Sequence, residues 1–319
     1  MIKHTPYSQH AAINSALQHT SAPAPRLRPS VSIVIPTHNE GDDVLDTVDC
    51  ILRNSGGYLN ELIVVDDGST DHSAEALKVL ADAKKIRLLQ GKQLGAIHSR
   101  NMGAQAANSK IVGFIDAHCY TPQDWLKPIV KEFAENPQYA ALSPAIACTK
   151  NMHAVGYGAT WIDDELAMHW LGQVDKVSDV PFIGGAATFV RKSVFDQING
   201  FDKGIVQWGY EDIELSIRLW LLGYSVKVVP QSVIYHKFRK KFRYDINFTD
   251  VLYNKLRLVF LHFDGERLRR LWRHHLQYTG AEIAMQRLHH DGSEGLRDSL
   301  KGTRVMSMDN FCDRFGLLQ

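Results

Sequence analysis

The chain has 319 residues, of which 45% are hydrophobic and 22% are charged, the profile of a soluble globular protein. Its 36 lysines and arginines nearly balance 35 aspartates and glutamates, so bulk charge excludes a general nucleic-acid-binding protein. No stretch reaches the ~18 apolar residues of a membrane span, and the four cysteines form no C-x-x-C pair. We therefore expect reduced thiols and a cytoplasmic location.

The first part of the chain alternates apolar runs with amphipathic segments. Residues 1–30 are polar, end in a proline-rich stretch and are expected to form an extended lead-in. We then predict strands at 31–36, 61–65, 86–89 and 111–115, and helices at 42–54, about 72–83 and 95–107. Asp42 or Asp43 is expected to cap the first helix. This order predicts a mostly parallel sheet with right-handed crossovers.

The second part has a less regular pattern. We predict helices at 123–135, 192–198, 210–222 and 248–263, and strands at 140–144, 182–191 and 226–230, followed by an extended segment at 233–236. The strand at 226–230 ends in proline and is expected at a sheet edge. Residues 150–180 are expected to form an acceptor-side insertion, and the basic tail from Asp264 is expected to be helical only in places.

A candidate metal site follows the strand at 111–115. Asp116 and His118 lie just past its carboxyl end, which is where open α/β sheets place their ligand crevice. Side chains two residues apart on an extended chain point the same way. A carboxylate oxygen and an imidazole nitrogen suit Mn²⁺ or a similar ion better than Ca²⁺. The alternative is an ordinary solvated strand end.

Other polar clusters recur after predicted strands. They lie at 37–40, at 66–71 and in Glu211-Asp212-Ile213-Glu214, with a late histidine at His236. Polar residues are expected in such loops, so each cluster alone is a weak indication. Their order and spacing together are the informative feature.

Taken together, these motifs resemble those of nucleotide-sugar-dependent glycosyltransferases that have the GT-A fold and are similar to family 2. Residues 31–40 resemble the first strand and turn of those enzymes, and residues 64–71 their nucleotide turn. Asp116-Ala117-His118 occupies the place of their D-x-D metal motif. The D-x-H form is similar to that of the polypeptide N-acetylgalactosaminyltransferases, as are Gly184-Gly185 and residues 208–218 and 236–240. The resemblance implies a Rossmann-like central sheet flanked by helices, with a helical C-terminal extension.

The same resemblance implies roles for individual residues. Asp116, His118 and His236 would bind Mn²⁺ or Mg²⁺. Asp66 would accept a hydrogen bond from uracil, Trp208 would form the floor of the sugar pocket, and Arg239 and Tyr244 would lie over the diphosphate in a mobile loop at 237–247. The full implied donor site consists of Pro36, Glu40, Asp66, Lys92, Gln93, Ala117, Gly184, Gly185, Trp208, Arg239 and Tyr244.

Two departures from the resembled enzymes bear on mechanism. They have Glu-Asn where this chain has Glu211-Asp212, and inverting family 2 enzymes place their general base at that aspartate. The alternative is that Asp212 only complements the dipole of a helix N-terminus. Gln93 replaces an arginine that helps to hold the nucleotide, and Lys92 is expected to substitute for it.

The sequence thus predicts a metal-dependent glycosyltransferase with Glu211 and Asp212 at its catalytic centre. It would move a hexose or N-acetylhexosamine from a UDP-sugar to a glycan, lipid-linked or peptide acceptor, with inversion. The alternatives are a retaining polypeptide O-glycosyltransferase and a non-catalytic nucleotide-sugar-binding module. We expect a lead-in at 1–30, a catalytic domain at 31–247 with nucleotide (31–120) and acceptor (121–247) halves, and a helical extension at 248–319. The basic tail is either a contact for an anionic membrane surface or a solvated helix face.

Overall fold

The computed structural model describes residues 31–239 and 246–319. The predicted lead-in and Tyr244 lie outside the described residues, as does most of the predicted loop at 237–247. Along the described chain, each strand and helix can be compared with its predicted position.

Regular alternation of strands and helices fills the first part of the chain. In order these elements are β1 (Val31–Thr37), α1 (Asp42–Asn54), β2 (Leu59–Asp66), α2 (His72–Asp82), β3 (Arg87–Gln90), α3 (Ala96–Ala106), β4 (Ile111–Ile115) and β5 (Cys119–Tyr120). The predicted helix cap is wrong, because Gly41 precedes α1 with φ 58° and both Asp42 and Asp43 lie in the first turn. Glycine reaches this left-handed φ without the steric cost that a Cβ imposes.

The second part is richer in short strands. Its elements are α4 (Leu126–Glu135), β6 (Tyr139–Cys148), β7 (Asn151–Gly156), β8 (Ala159–Thr160), β9 (His169–Trp170), β10 (Ser178–Asp179), β11 (Ala187–Arg191), α5 (Lys192–Gln197), α6 (Glu211–Leu221), β12 (Ser225–His236), α7 (Phe248–His262), α8 (Gly265–His275), α9 (Ala281–His290), α10 (Ser293–Thr303) and α11 (Met308–Phe315). The strand predicted at 182–191 begins only at Ala187, because the chain turns at Gly184, whose carbonyl accepts from the Ala187 N–H.

One ten-stranded sheet holds most of these strands: eight lie in the order β10-β12-β6-β11-β4-β1-β2-β3, and β5 and β7 pair beside this path with β12 and β6. β1 to β4 are mutually parallel, β6 is parallel to β12, and β11 runs antiparallel between β4 and β6. The predicted, mostly parallel sheet is therefore confirmed. The edge-strand prediction for 226–230 is wrong: β12 is a single long strand inside the sheet, and Pro230 falls in a register irregularity between Val229 and Val233. A bulge tolerates proline because its N–H is not needed for pairing there.

Apolar side chains pack on both faces of the sheet. On β1, Val34 belongs to one core cluster while Ile33 and Ile35 belong to the other, as expected when successive side chains alternate in direction. The C-terminal helices add to the first cluster, where Phe311 and Leu318 are buried. The tail is thus more helical than predicted. Within residues 31–239 and 246–319, no helix has the length and apolar character needed to cross a bilayer.

The topology brings distant turns to one edge of the sheet. β1, β2 and β4 are parallel neighbours, so their carboxyl ends meet there. The end of β12 joins them because His236 pairs with Cys119 of β5, two residues after Ala117. Residues more than 100 positions apart in sequence therefore lie beside one another.

Candidate functional site

A cleft of about 980 Å³ opens at the carboxyl ends of the central strands. Among the predicted residues, it is lined by Pro36, Glu40, Gln93, Asp116, Ala117, His118, Gly185, Trp208, Glu211, Asp212, His236 and Arg239. Asp66, Lys92 and Gly184 do not contribute to this lining, and Lys92 is exposed. Most of the predicted site therefore converges on one cavity.

Asp116, His118 and His236 form a three-ligand cluster in the cleft. One candidate ligand atom from each lies within 4.8 Å of the others. Nε2 of His236 lies 3.6 Å from Oδ2 of Asp116, and the two imidazole centroids are 4.7 Å apart. Nδ1 of each histidine is buried and makes no hydrogen bond among the described residues, although Nδ1 of His118 lies 3.7 Å from Oε2 of Glu40. One carboxylate and two imidazoles at this spacing fit a divalent cation of the Mn²⁺ type.

Asp116 is held in its charged form. Burial raises the pKa of its carboxyl, but the nearby imidazole of His236 and the charges of Arg100 and His118 outweigh burial and bring the pKa well below its ordinary range. Arg100 donates from Nη2 to Oδ1 at 2.7 Å, which leaves Oδ2 toward His236. The cluster therefore presents an anionic oxygen beside two imidazoles.

Arg100 is a site residue that the sequence analysis missed. It lies on α3 with only 4% of its surface exposed, and its Nη1 donates to Oε1 of Glu211 at 2.7 Å. The buried face of α3 carries Ile97, Arg100 and Ala104 at helical spacing. An arginine on this otherwise apolar face was the feature of the sequence that could have indicated a buried ion pair. One guanidinium connects the metal-ligand cluster to the start of α6.

Glu211 and Asp212 occupy the first turn of α6. Glu211 is buried and also accepts from the Gly209 N–H at 2.9 Å. Asp212 accepts from the Ile213 N–H through Oδ1. A Cβ at Gly185 would lie 3.0 Å from its Oδ2, so glycine there leaves room for the carboxylate. Burial, and then the charge of Glu211, raise the pKa of Asp212 well above its ordinary range, as a proton acceptor near neutral pH requires.

A second missed residue, Asn254, fixes the turn before α6. Its side chain is fully buried on α7; Oδ1 accepts from the Val206 N–H at 2.8 Å, and Nδ2 donates to the carbonyls of Val206 and Trp208 at 2.8 and 3.1 Å. Trp208 remains 38% exposed at the cleft. Asn254 thus positions the residue that was predicted to form the floor of the sugar pocket.

The predicted nucleotide turn presents Asp67, rather than Asp66, to the cleft. Asp67 accepts from the backbone N–H groups of Gln93 and Gly95, at 2.8 and 2.7 Å. Asp66 is buried and accepts from the Ser69 N–H at 2.9 Å. Asp67 therefore anchors the loop that carries Gln93.

Arg239 lies at the cleft rim between two buried carboxylates. Nη1 donates to Glu40 at 3.0 Å and Nη2 to Asp43 at 2.7 Å, while Lys237 donates to Asp43 at 2.6 Å. Burial raises the pKa of Glu40, but the neighbouring His118 and the hydrogen-bonded Arg239 outweigh burial, so the pKa is lowered. The basic residues after β12 are therefore paired with acids at the start of α1.

Two family descriptions match this sequence. Glycosyl transferase family 2 matches residues 32–198, more than half of the chain, and the N-terminal domain of galactosyltransferase matches residues 173–241. The putative polypeptide N-acetylgalactosaminyltransferase 13 of Drosophila melanogaster is 30% identical over 77% of this chain and 48% of its own length. The polypeptide N-acetylgalactosaminyltransferase 4 of Caenorhabditis elegans is 32% identical over 67% and 39%. The chain spans less than half the length of these relatives.

Solved structures share the fold at low identity. GalNAc-T7, solved with UDP, GalNAc and Mn²⁺, superposes with a TM-score of 0.72 at 19% identity, over 90% of this chain and 56% of its own. The mannosyltransferase PcManGT from Pyrobaculum calidifontis, solved with GDP-Man and Mn²⁺, gives 0.54 at 18% identity, over 88% and 81%. S. aureus TarS 1-349 with UDP-GlcNAc gives 0.57 at 15%, over 90% and 92%. These neighbours confirm the predicted GT-A α/β fold.

Proposed function

The chain belongs to glycosyl transferase family 2, and we propose that it transfers a hexose or N-acetylhexosamine from a UDP-sugar to a hydroxyl acceptor. The observation that carries this proposal is the convergence of Asp116, His118 and His236 in the cleft that also holds Asp212. UDP or a UDP-sugar is present in the GalNAc-T7 and TarS structures that share this fold. The acceptor is a glycan, a lipid-linked saccharide or a peptide.

We assign the metal site to Asp116, His118 and His236. Mn²⁺ or Mg²⁺ bound by these side chains would supply Lewis acidity toward the leaving diphosphate. The chain's own part is to hold an ionised Asp116 oxygen toward the histidines, which the ion pair with Arg100 achieves. Two of the fold neighbours were solved with Mn²⁺.

Donor binding is proposed for the remaining cleft residues. Arg239 has a planar donor fork that suits a diphosphate and would exchange its bonds to Glu40 and Asp43 for that ligand, and Trp208 offers an exposed indole to the sugar. Asp66 keeps its proposed role as acceptor for uracil although it does not line the cleft, because among the described residues it accepts only through Oδ1, from the Ser69 N–H, whereas both oxygens of Asp67 accept from the loop at 93–95. The rest of the cleft lining proposed to contact the donor consists of Pro36, Glu40, Gln93, Ala117 and Gly185. Gly184 packs against Trp170, and Lys92 stays a more distant candidate.

Inversion with Asp212 as general base is the proposed mechanism. The acceptor oxygen attacks the anomeric carbon and its proton passes to the Asp212 carboxylate. The bond from that carbon to the diphosphate oxygen breaks, and its electron pair leaves with UDP. The raised pKa of Asp212 and its access to the cleft support this role.

The names of the relatives favour a second candidate. Both curated relatives reported above are polypeptide N-acetylgalactosaminyltransferases, which favours a peptide acceptor, and the D-x-H motif resembles that of a retaining group. In that case Asp212 would serve only the helix N-terminus. A non-catalytic module would bind UDP-sugar without turnover.

The test combines a donor screen with product stereochemistry. Purified chain is incubated with UDP-GalNAc, UDP-GlcNAc, UDP-Gal or UDP-Glc and Mn²⁺ or EDTA, with pooled glycan and peptide acceptors, and released UDP is measured. We expect Mn²⁺-dependent release, and a β-linked product by anomeric coupling in NMR. Asp212→Asn should lower turnover on the order of a hundred- to ten-thousand-fold, whereas Asp196→Asn, at an exposed ion pair with Lys192, should not. An α-linked product would favour the retaining candidate, and intact donor under every condition would favour the binding module.

A further inference from the structure

A short segment borders the cleft without belonging to the central sheet. We call residues 163–170 the wall segment; Leu166, Met168 and Trp170 on it line the cleft that also contains Asp212. Among the described residues, its strand pairing is limited to the two-residue ladder of β8 with β9. Other contacts must therefore fix its position.

Those contacts come from the helices after residue 247. Glu165 accepts from His274 Nε2 at 2.9 Å and from Tyr278 Oη at 2.5 and 2.6 Å to its two oxygens. The adjacent Asp164 lies 3.0 Å from Nε of Arg270. α8 and the turn after it thus hold two consecutive acids of the wall segment.

Lys255 on α7 joins the wall segment to the start of α6. Its Nζ donates to the backbone carbonyl of Glu165 at 2.7 Å and lies 5.7 and 5.8 Å from the ring centroids of Tyr210 and Tyr278. Tyr210 in turn donates to the carbonyl of Leu166 at 3.3 Å. Lys255 thus contacts both the wall segment and Tyr210, the residue two positions before the proposed base Asp212.

The backbone at both ends of this contact is strained. Leu166 has φ 54° and Tyr210 has φ 72°, left-handed values that a residue with a Cβ rarely adopts. Such conformations persist only where surrounding contacts enforce them, and they concentrate at functional sites. Asn254 holds the backbone just before Tyr210, and Lys255, Tyr278 and His274 add contacts from the wall segment's side.

We propose that α7 and α8 position the acceptor side of the cleft, with Lys255, His274 and Tyr278 acting as positioning residues through Glu165. This proposal rests on the transferase activity proposed above and extends it to the C-terminal helices. The wall segment is linked to the start of α6, which carries the proposed base, whereas the metal-ligand cluster lies in the turn between β4 and β5 and at the end of β12. Disturbing the link should therefore impair acceptor use more than donor use.

The test uses Lys255→Met, which keeps an unbranched side chain one atom shorter but removes the charge and the donor, and the double variant His274→Ala/Tyr278→Phe. We expect KM for acceptor to rise on the order of tenfold or more, since small misplacements of a substrate-positioning group have large effects. KM for UDP-sugar and acceptor-independent hydrolysis should stay within about twofold. Arg269→Ala is the matched control, because Arg269 lies on the exposed face of α8 and pairs with Glu266.

A second readout does not depend on activity. Hydrogen–deuterium exchange should show faster exchange at 163–170 in both variants, with unchanged exchange in β1 and β2. Replacing His274→Ala by His274→Gln in the double variant restores an N–H donor and should recover part of the protection from exchange at 163–170. Unchanged exchange at 163–170 in folded variants overturns the proposal, as does an equal loss of donor and acceptor use. If wild-type protein neither transfers nor hydrolyses any sugar, the proposed function fails and the exchange result alone decides the positioning role.

Discussion

Nη2 of Arg100 lies 2.7 Å from Oδ1 of Asp116, and the arginine side chain is only 5% exposed. Its Nη1 makes the same 2.7 Å contact with Oε1 of Glu211. A single buried cation therefore orients a proposed metal ligand and the acid next to the proposed base. Its removal would leave two carboxylates without a compensating charge.

The first prediction follows from that geometry. Arg100→Lys keeps the charge but has one ammonium in place of a fork, so it can satisfy only one of the two carboxylates. We expect roughly a 10- to 100-fold loss of Mn²⁺ affinity or activity, typical when a partner of a metal ligand is changed. Isothermal titration with Mn²⁺ and UDP measures this. Arg53→Lys, at a surface pair with Asp49, is the control, and equal affinity in both variants would contradict the role of Arg100.

The second prediction concerns the third metal ligand. His236→Ala removes one of the two imidazoles, and the remaining Asp116 and His118 should bind Mn²⁺ much more weakly. Electron paramagnetic resonance of free Mn²⁺ during titration gives the affinity directly. His72→Ala removes an exposed histidine paired with Asp42 and should bind as wild type does. Full Mn²⁺ binding by His236→Ala would exclude His236 from the site.

Much of the fold was predictable because its signals are local. The periodicity of residues 31–115 depends on burial of each strand and helix against its neighbours, and the observed elements there lie close to their predicted bounds. β12 was not predictable as one strand, because Pro230 is an interruption in the sequence but falls at a register shift in the sheet. Whether a proline blocks pairing depends on the neighbouring strand, which local sequence does not reveal.

The same distinction applies to the site. Asp116 and His118 were found because they share one turn, and His236 because its surrounding motif is distinctive. Arg100 contacts Glu211, which is 111 positions away in sequence, and Asn254 contacts Val206, which is 48 positions away. The importance of both residues therefore depends on tertiary contacts. An arginine and an asparagine within helical patterns are ordinarily solvent-facing residues.

The third prediction uses the glycine opposite Asp212. A Cβ at residue 185 would approach Oδ2 of Asp212 to 3.0 Å and Cγ to 3.4 Å, so Gly185→Ala should displace the carboxylate by a few tenths of an ångström. We expect lower turnover with little change in melting temperature. Gly57→Ala is matched to it, because a Cβ there meets nothing within 4 Å. Normal turnover in Gly185→Ala would show that the position of Asp212 is not critical.

The fourth prediction concerns acid stability. Glu214 is buried and pairs with Arg218 at 2.8 Å and His262 at 3.0 Å. Burial raises the pKa of Glu214, but these partners outweigh it and lower the pKa to about 2. Because the folded pKa lies below the unfolded one, the stabilisation is present above pH ~4.5 and is lost as pH falls toward 2, by about 3 kcal/mol in total.

Thermal unfolding between pH 7 and pH 2 tests this contribution. Glu214→Gln should be less stable at neutral pH and should lose less stability on acidification than wild type. Glu75→Gln changes an exposed acid paired with Lys78 and should follow the wild-type profile. Parallel pH profiles for Glu214→Gln and wild type would contradict the assigned pKa direction.

The last prediction is the pH dependence of turnover. Burial and the charge of Glu211 raise the pKa of Asp212, so its basic form is lost at a higher pH than for an ordinary aspartate. A general base must be ionised, so kcat should be low below this raised pKa and should rise as pH increases through it.

Glu211→Gln keeps an acceptor for the Gly209 N–H but removes the neighbouring negative charge. Its acid limb should therefore move to lower pH, whatever its maximal rate. The comparison is a kcat profile from pH 4 to 9 at saturating Mn²⁺, donor and acceptor, with Glu75→Gln as control. If the acid limb of Glu211→Gln coincides with that of wild type, the titrating group is not Asp212, and its carboxylate serves the start of α6 instead.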